Sequence, residues 1–418
     1  MIYNQSRVNQ GGDLNLVVFE DFNADRFYPL SVSHPVYDLI YGCFNVIERF
    51  KHYFKPDNIF LWCRDYLADI SRQRYDCQVN NPNSIKGTCI FINAALKPDY
   101  KMLNDISRAK ENTVFFNQSE FIAAKLTDEV VKEMPLGYLP KQPITFPTDI
   151  KRVKVKAELF EYPWDIVSFN GEAINLDVLE FWSCENPEEL YQRFNSDKPG
   201  IYIHPSAKVS ANAFFDVSEG PVVIDEAAVV EPRSLIQGPV YIGKNSRVMG
   251  GIIREGCSIG PVCKIGGELE QSIVLGYSNK CHEGFIGHSY IGEWVNLGAL
   301  TANSDLKNNY SEVTVRVKGK DIPTGLIKVG SFIGDHTKTG IGTLLNTGIV
   351  IGFCCNMYGG MLFPQKEIGS FRWGTPEDMM EFKLDKAVQI AKISMKRRGM
   401  EFSVVDEKLF NIINERTP

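Results

Sequence analysis

Two patterns of apolar and polar positions divide this chain. In the N-terminal part, short apolar runs suit buried parallel strands, and longer segments carry apolar residues three and four apart, as helices do. The predicted strands lie within 14–21, 58–63 and 87–96, and the predicted helices lie within 36–54 and 162–182. Strand, helix and strand joined by short connections predict a Rossmann-like α/β domain with a doubly wound sheet.

Beyond residue 200 the apolar positions recur every six residues, with small or polar residues between them. These positions are Ile224, Val230, Ile236, Ile242 and Val248, then, after a one-residue slip, Ile253, Ile259 and Ile265, and finally Ile333, Thr339, Leu345, Ile351 and Met357. A helix would repeat at about 3.6 residues and a half-buried strand at about 2. A run of sixes is typical of the hexapeptide parallel β-helix, whose inward side chains fill a triangular prism.

These patterns give the domain boundaries. The polar stretch 195–200 separates an α/β domain at 1–195 from a β-helix at 196–372, and 373–418 is a C-terminal helical segment. The polar stretch 303–328 interrupts the period, so we expect an inserted loop, either functional or disordered.

The C-terminal segment carries signals for a helix start. Thr375 as N-cap, Pro376 at the first position and Asp378 in the first turn predict where the helix begins. The basic stretch 396–398 suits the C-terminal end of that helix. We expect this basic end to be solvated or to contact a phosphate.

Composition narrows the classes of function. The 418 residues are 44% hydrophobic and 23% charged, as in a globular protein, and the net charge of −6 disfavours a nucleic-acid partner. We find neither a leader pattern nor an apolar run of membrane-spanning length, so no membrane partner is expected. The ten cysteines lack metal-site spacing, which predicts reduced thiols in a cytoplasmic protein.

One stretch of the β-helix resembles a known enzyme family. That family is the bifunctional N-acetylglucosamine-1-phosphate uridylyltransferase/glucosamine-1-phosphate acetyltransferase family. Its left-handed β-helix carries the pattern A-G-H-x-x-Y-x-G-x-x-x-I-G-x-x-x-N-I-G-A-G. The matching residues, in one gap-free register, are Cys281, His282, Phe285, Gly287, Ile291, Gly292, Asn296, Leu297, Gly298 and Ala299.

Further motifs extend the resemblance to most of residues 14–374 and indicate a divergent branch of the family. They are Asp25-Arg26, Pro29-Leu30 and Pro35 in the N-terminal domain, Y-S-N-K-x-H at 277–282, the loop motif at 303–310 and G-D-H-x-K-T-G-I at 334–341. The resemblance implies a nucleotidyltransferase-type α/β domain followed by a left-handed β-helix with acyltransferase activity.

The resemblance implies roles for residues of the β-helix. His282 is the expected general base, because a histidine titrates near neutral pH and an amine must lose a proton to attack a thioester. His288, by contrast, is expected to be structural. The expected site residues are Asn296 beside His282; Ala299, Asp335, His336, Lys338 and Gly352 for acetyl-CoA; and Lys280, Asn303 and Lys307 for a sugar phosphate.

The chain departs from the family at basic positions. The family has two adjacent lysines at the positions of Glu270 and Gln271 in this chain. It also has an arginine near the position of Gly266. Those groups hold the phosphorylated sugar and the nucleotide product, so the acceptor can be another amino sugar or a nucleotide sugar.

The N-terminal domain departs from the family too. Sugar nucleotidyltransferases carry a glycine-rich loop after the first strand, whereas residues 19–35 contain no glycine. By resemblance, Asp25 and Arg26 bind the nucleotide, and Asp165 and Asn170 hold Mg²⁺. In 91–96, Ala95 stands where the branch usually has an arginine.

Three hypotheses stay open at this point. The first is a sugar-1-phosphate nucleotidyltransferase joined to an acetyl-CoA-dependent amino-sugar N-acetyltransferase. The second is an acyltransferase whose N-terminal domain only binds or positions substrate. The third is a non-enzymatic trimeric scaffold or nucleotide sensor. The expected partners are a sugar phosphate or nucleotide sugar, an acyl-CoA, an NTP for the first hypothesis, and two further copies in a homotrimer, since the family shares its acyl sites between subunits.

Overall fold

The computed structural model describes residues 14–133, 146, 150–182 and 200–417. The predicted domain boundary at 195 and the N-terminal stretch before residue 14 lie outside the described residues. By its internal packing the chain divides into two compact units. The first comprises 1–26, 34–39 and 44–161, and the second comprises 27–33, 40–43 and 162–418.

The elements up to residue 177 alternate between strands and helices. They are β1 (Asn15–Phe19), β2 (Ile40–Tyr41), β3 (Phe44–Asn45), α1 (Val46–Phe54), β4 (Asn58–Trp62), α2 (Ala68–Tyr75), β5 (Gln78–Val79), β6 (Cys89–Asn93), α3 (Tyr100–Arg108), β7 (Thr113–Asn117), β8 (Glu120–Leu126), α4 (Asp128–Glu133), β9 (Lys151–Lys154) and α5 (Pro163–Asp177).

The first unit is built on a seven-stranded sheet in the order β5-β4-β1-β6-β8-β7-β9. Its strands β5, β4, β1 and β6 are parallel, and β8 runs antiparallel to both β6 and β7. The predicted α/β fold is therefore confirmed. The three predicted strands are β1, β4 and β6; β1 and β6 are buried throughout, and β4 is buried over its last three residues.

The helix expected over 36–54 is shorter than predicted. Helix α1 begins only at Val46, where the side chain of Asn45 accepts a hydrogen bond from the backbone N–H of Glu48 at 2.8 Å. Gly42 has a φ of +63°, so the chain turns before the helix. Apolar spacing alone does not show this turn.

The second unit contains a parallel β-helix with three faces. The first face holds Ile201–Ile203, Val222–Ile224, Val240–Ile242, Cys257–Ile259, Ile273–Gly276, Tyr290–Glu293, Phe332–Ile333, Val350–Ile351 and Glu367–Ile368. The second face holds Lys208–Val209, Val229–Val230, Arg247–Val248, Lys264–Ile265, Asn279–Lys280, Lys338–Thr339, Asn356–Met357, Arg372–Gly374 and Met379–Glu381. The third face holds Phe214–Asp216, Leu235–Gln237, Ile252–Ile253, Glu268–Glu270, Phe285–Gly287, Ala302–Asn303, Leu344–Leu345 and Leu362–Phe363.

The six-residue period is confirmed by burial. Every aliphatic residue predicted to point inward is buried, and Thr339 is buried at its predicted place as well. Successive coils stack in parallel register, for example Ile242 beside Ile259 and Ile333 beside Ile351. The left-handed β-helix is therefore the fold of this region, and its core is one continuous column of aliphatic side chains.

The interruption of the period is an ordered excursion. It contains an antiparallel hairpin of Thr314–Val317 with Lys320–Pro323. Its two ends meet where Leu306 bridges Lys328. The chain therefore leaves and re-enters the β-helix at one corner.

The helix start predicted at Thr375 is wrong. The backbone N–H groups of Thr375 and Asp378 donate to each other's carbonyls at 3.1 and 3.2 Å, which closes an antiparallel hairpin. The Thr and Asp side chains that suit an N-cap suit such a turn equally well. The helices that follow are α6 (Leu384–Lys396) and α7 (Val404–Arg416). Helix α6 ends at the basic stretch 396–398, as predicted.

The nine cysteines that the structure describes are free thiols, as predicted. In the described parts of the chain, no helix combines the length and the apolar character needed to cross a lipid bilayer.

Candidate functional site

The turn that carries His282 joins two strands of one coil. It connects Asn279–Lys280 on the second face to Phe285–Gly287 on the third. Within the described residues the imidazole of His282 has no hydrogen-bond partner, and it is exposed together with the side chain of Glu283. The corner therefore presents His282 to solvent, and no hydrogen bond joins its imidazole to the neighbouring Glu283.

Lys280 lies under this turn instead of beside a ligand. Its side chain takes an inward position in register with Ile265 and is only 3% exposed. The ammonium donates to the carbonyl oxygens of His282 and Glu283, the latter at 2.9 Å. Burial lowers the pKa of Lys280 to about 8. The structure thus places Lys280 as an internal support of the turn, which corrects its assignment to a sugar phosphate.

A chain of polar side chains runs along the second face beside the turn. Asn296 is exposed, and its Oδ1 accepts a hydrogen bond from Nδ2 of Asn279 at 3.2 Å. Oδ1 of Asn279 in turn accepts from the guanidinium of Arg398. Isolated bridges pair Asn296 with Asn279 below it and with Lys338 above it. Asn296 therefore occupies the coil next to His282, as the resemblance implies.

Arg398 brings positive charge to this region from the end of the chain. It follows helix α6 and reaches Asn279, 119 positions away in sequence. Burial raises the pKa of the Cys281 thiol, and the positive charges of Lys264, Arg398 and Lys280 oppose that shift. Three basic side chains therefore lie near the turn with His282, and such groups suit a phosphorylated ligand. The basic stretch at 396–398 is the sequence signal for Arg398, whereas Lys264 gave none.

Three residues expected to bind acetyl-CoA are buried in the single chain. Asp335 accepts from Oγ of Ser33 and from the N–H of Glu293, both at 2.8 Å. The ring of His336 lies against Phe353 and Phe410, with centroid distances of 5.7 and 5.0 Å. His336 is therefore packed beneath helix α7, and Asp335 is engaged by Ser33 and Glu293, which corrects the expectation that they lie open to a ligand.

Gly352, the third of these residues, lies where two coils approach closely. A Cβ at this position would lie 2.5 Å from the backbone nitrogen of Ser370, so only glycine fits. Ala299 and Lys338 remain partly exposed, and burial lowers the pKa of Lys338. Of the five residues expected to bind acetyl-CoA, these two are partly exposed, and the ammonium of Lys338 donates to the carbonyl oxygen of His336 at 3.2 Å.

The residues expected to hold a sugar phosphate do not converge. Asn303 points inward: its Oδ1 accepts from the N–H of Gly287 at 2.8 Å, and its Nδ2 donates to the carbonyl of the same residue at 3.0 Å. Lys307 lies on the inserted loop and contacts Oγ of Ser311 at 3.4 Å. Asn303 is thus a structural residue between two coils, and only Lys307 keeps a charge that a ligand can reach.

The departures from the family have physical reasons at two positions. A Cβ at Gly266 would lie 2.2 Å from the carbonyl oxygen of Cys281, so an arginine cannot replace this glycine on the present backbone. Glu270 pairs with the ammonium of Lys328 at 3.0 Å, and Arg254 lies 4.0 Å from its other oxygen. This corner carries paired charges and no excess of positive charge.

The candidate nucleotide site lies at the carboxyl ends of the parallel strands in the first unit. Arg26 donates to Oε2 of Glu161 at 2.8 Å. Arg64, which follows β4, holds the buried Glu20 through two nitrogens and reaches Asp25 at 3.1 Å. Ligands of α/β sheets bind at this edge, so the place agrees with the predicted role of Asp25 and Arg26. Sequence reasoning missed Glu20 and Arg64, although Glu20 directly follows β1 and Arg64 lies two positions after the end of β4.

Carboxylates gather around Arg26. Burial and the negative charges of Glu161 and Asp21 raise the pKa of Glu120, and Arg26 opposes that shift. Carboxylate oxygens are the ligands that Mg²⁺ prefers, so this edge offers donors of the right chemistry.

Asp165 and Asn170 do not form the expected metal site. They lie five positions apart on α5, about 140° apart around the helix axis. The carboxylate of Asp165 accepts from the N–H of Tyr162 at 2.9 Å and so caps the helix. Asn170 is fully buried: its Oδ1 accepts from Gly42 at 2.8 Å, and its Nδ2 donates to Gly256 at 2.8 Å. The polar atoms of Asn170 are therefore engaged in hydrogen bonds to the backbone, and Asp165 caps the helix. The pair does not form the Mg²⁺ site that the resemblance implies.

Comparison with known proteins agrees with this division of the chain. Residues 16–181 match the family model described as sugar nucleotidyl transferase. A bifunctional sugar-1-phosphate nucleotidylyltransferase/acetyltransferase of Sulfurisphaera tokodaii is 40% identical over 93 residues, which cover 22% of this chain and 23% of that protein. A bifunctional protein GlmU of Methanococcus maripaludis is 27% identical over 307 residues, covering 66% of this chain and 59% of that protein.

Both alignments span less than two thirds of the relative's own length. The solved UDP-N-acetylglucosamine acyltransferase of Francisella novicida is 14% identical, with coverage of 52% of this chain and 90% of that chain. With a TM-score of 0.23, the two structures are too different for us to draw a conclusion from this likeness. The family resemblance predicted from the motifs is confirmed: residues 16–181 match the sugar nucleotidyl transferase family, and the chain is similar to bifunctional nucleotidylyltransferase/acetyltransferases.

Proposed function

We propose that this chain joins a sugar-1-phosphate nucleotidyltransferase to an acetyl-CoA-dependent amino-sugar N-acetyltransferase. The observation that carries the proposal is the pairing of two parts in one chain. One is an α/β unit that matches the sugar nucleotidyl transferase family, and the other is a hexapeptide β-helix with the His282 motif at an exposed corner. Such a chain would use a sugar phosphate or nucleotide sugar, acetyl-CoA and an NTP.

In the acyl-transfer half, His282 is proposed as the general base. Its imidazole would take a proton from the amine of the acceptor while the amine attacks the thioester carbonyl. The negative charge that develops on that oxygen requires donors, and the amide of Asn296 on the next coil is the nearest candidate. Arg398 and Lys264 supply the positive charge that the family places elsewhere, which supports a phosphorylated ligand.

A homotrimer is proposed for the assembly, and the third face of the β-helix supports it. This face has two outward ladders: one contains Asp216, Gln237 and Glu270, and the other is apolar except at Glu268. The apolar ladder consists of Phe214, Leu235, Ile252, Glu268, Phe285, Ala302, Leu344 and Leu362. Phe214 is 68% exposed and Leu362 is 51% exposed. A straight apolar ladder this long suits packing against an equally long surface on a second copy of the same prism.

In the nucleotidyl-transfer half, Arg26 is proposed to neutralise the triphosphate. It must first leave Glu161, so substrate binding has to replace this ion pair. Mg²⁺ would lower the repulsion between the triphosphate and the nearby carboxylates when it is bound. Asp165 and Asn170 do not fit that ion, so they have no part in this step.

Two assays on the purified chain test the two halves separately. Thiol release from acetyl-CoA with amino-sugar phosphates tests the β-helix, and pyrophosphate release from UTP or dTTP with sugar-1-phosphates tests the α/β unit. We expect both activities. An absence of thiol release with every amino sugar would rule out the acyltransferase, and an absence of pyrophosphate release would rule out the nucleotidyltransferase.

The runner-up is an acyltransferase whose N-terminal unit only binds or positions the substrate. The loop of residues 19–35 supports it, because it has no glycine and its Arg26 is already paired. Thiol release without pyrophosphate release is the outcome that this reading predicts. A non-enzymatic scaffold or nucleotide sensor would show neither, yet its melting temperature would rise with an NTP, since a ligand that binds only the folded state stabilises it. The cytoplasmic location stays a prediction.

A further inference from the structure

A second histidine of the same coil is held in a different way. Nδ1 of His288 lies 2.8 Å from Oδ2 of Asp305, and Oε1 of Glu270 lies 3.0 Å from the ammonium of Lys328. Donor atoms of His288, Asp305 and Glu270 all lie within 4.8 Å of one another. The His288 and Asp305 side chains are 12% and 13% exposed. Three successive coils and the end of the inserted loop thus bring four titratable groups to one corner.

The position of Asp305 is built into the backbone. A Cβ on Gly287 would lie 2.4 Å from Oδ2 of Asp305, so the carboxylate occupies the space that any other residue would fill. Burial works against its charge, but the hydrogen bond from His288 and the charges of His288 and Lys328 lower the pKa of Asp305. An ionised Asp305 requires a proton on Nδ1 of His288. The lone pair of the neutral ring then lies on Nε2.

Nε2 is the ring nitrogen of His288 that remains available to take up or release a proton. It has no hydrogen-bond partner in the described parts of the chain, and it is not among the buried polar atoms that lack one, so it reaches solvent. A carboxylate on one nitrogen that orients the ring and stabilises the imidazolium is the arrangement of an acid–base histidine. The exposed His282 has no such support. His204 uses Nδ1 as well, but its neighbour is Oγ of Ser206 at 2.8 Å, which is no carboxylate.

His282 and His288 lie at the two edges of the third face. His282 precedes the strand Phe285–Gly287, and His288 follows it. The three-residue strand between them keeps the two rings at different corners of the prism within one chain. In a closed ring of three copies packed through this face, one edge of each copy adjoins the opposite edge of the next. That arrangement brings His288 of one copy beside His282 of its neighbour.

We infer that His288, oriented by Asp305, is an acid–base residue at the acyl site of the adjacent copy. The inference rests on the proposed acyl transfer and homotrimer. In the reaction the acceptor nitrogen bonds to the thioester carbon and the carbon–sulfur bond breaks. His282 takes the proton from the amine, and the imidazolium of His288 gives a proton to the departing thiolate. Both rings regain their starting state by proton exchange with water.

Mixed trimers test this inference. Chains with His282→Gln and chains with His288→Gln, carrying different tags, are co-expressed, and complexes that hold both tags are isolated. Each variant alone should lose about 100-fold or more in kcat, with KM changed little. Each isolated complex holds two chains of one kind and one of the other, so one of its three sites has both native histidines and the mixed trimers should regain about a third of the wild-type rate. The Asp305→Asn chain should complement His282→Gln in the same way, and His204→Gln serves as the matched control.

Each result decides a different point. Wild-type kcat in the His288→Gln chain would overturn the inference and leave the His288–Asp305 pair as a structural link to the inserted loop. Loss in both variants without recovery in the mixture would also overturn it, because both rings would then act within one chain. A wild-type protein that moves no acyl group would remove the proposed function itself.

Discussion

The α/β unit and the β-helix hold their candidate residues in opposite ways. In the α/β unit the charged groups are paired with one another: Arg26 with Glu161, and Arg64 with both Glu20 and Asp25. In the β-helix the exposed residues His282 and Asn296 project from a corner and a face. A substrate of the first site must replace existing ion pairs, whereas a substrate of the second meets groups that are already available.

The difference follows from the two architectures. Parallel strands of a sheet end at one edge, so side chains that follow several strands converge there and satisfy one another. A β-helix buries only its inward ladder, and its corners and outward ladders face solvent. Sites on a β-helix are therefore completed by ligands or by other chains. The predictions below test this contrast, in order of decreasing expected effect.

The largest effect is expected from His282→Gln. If the exposed imidazole is the base, the change should lower kcat for acyl transfer about 100-fold or more. Pyrophosphate release by the α/β unit should stay at the wild-type rate. Thiol release and pyrophosphate release from the same preparation provide the measurement, with His204→Gln as control. Unchanged acyl transfer would show that the corner histidine is not the base.

A pH-dependent stability is expected from Lys280. Its pKa of about 8 in the folded chain lies below the value of about 10.4 expected when unfolded, so the unfolded chain binds more protons between these values. The free energy of unfolding should therefore rise as the pH increases from about 8 to about 10.4, by about 2–3 kcal/mol from this group.

The Lys280→Met chain provides the comparison for that pH effect. It removes the titrating group at similar volume, so its rise over the same pH range should be smaller by that amount. Urea unfolding at several pH values measures both chains. Equal slopes in the two chains would show that Lys280 is not buried as the structure has it.

Asn170→Ala tests whether α5 carries a structural residue or a metal ligand. Removal of the amide leaves the N–H of Gly42 and the carbonyl of Gly256 without their buried partner. The free energy of unfolding should fall by about 2 kcal/mol. Pyrophosphate release per folded molecule should not change at any Mg²⁺ concentration. A requirement for more Mg²⁺ in the variant would restore the metal assignment.

The smallest effect is expected from Arg398→Ala. Loss of this charge beside Asn279 should raise KM for acetyl-CoA or the phosphorylated acceptor about tenfold, and the increase should shrink at high salt. Lys396→Ala is the matched control, since Lys396 ends the same helix but is fully solvent-facing. Equal KM values for the two variants would show that Arg398 acts only in packing.

The sequence predicted the architecture better than it predicted individual sites. Six-residue spacing identified the inward ladder, because burial in a β-helix depends on position along the coil alone. The same spacing also indicates that Lys280 and Asn303 point inward, because both continue the series of inward positions through Ile286 and Leu297. We assigned the two residues to ligands on the resemblance alone.

Other contacts had no signature in the sequence. Arg398 meets Asn279 only because α6 folds back, and Glu161 meets Arg26 across 135 positions. The sheet-edge residues Glu20 and Arg64 could have been found by reading the first two positions after each buried strand. The hairpin at Thr375 could not, since the same residues cap helices and close turns.

The inserted loop closes on itself, with Leu306 beside Lys328. The chain therefore leaves and re-enters the β-helix at two positions one strand pair apart. This spacing does not depend on the number of residues between Leu306 and Lys328. The entropy cost of a longer loop grows only with the logarithm of its length, so the stem can carry segments of other lengths at little cost. This loop offers a natural graft point: a peptide tag or a small domain inserted at the exposed residues 308–310 should leave the coil count and the ladder of aliphatic side chains unaltered, and it spares the hairpin tip, where Lys318 and Gly319 donate to Glu367.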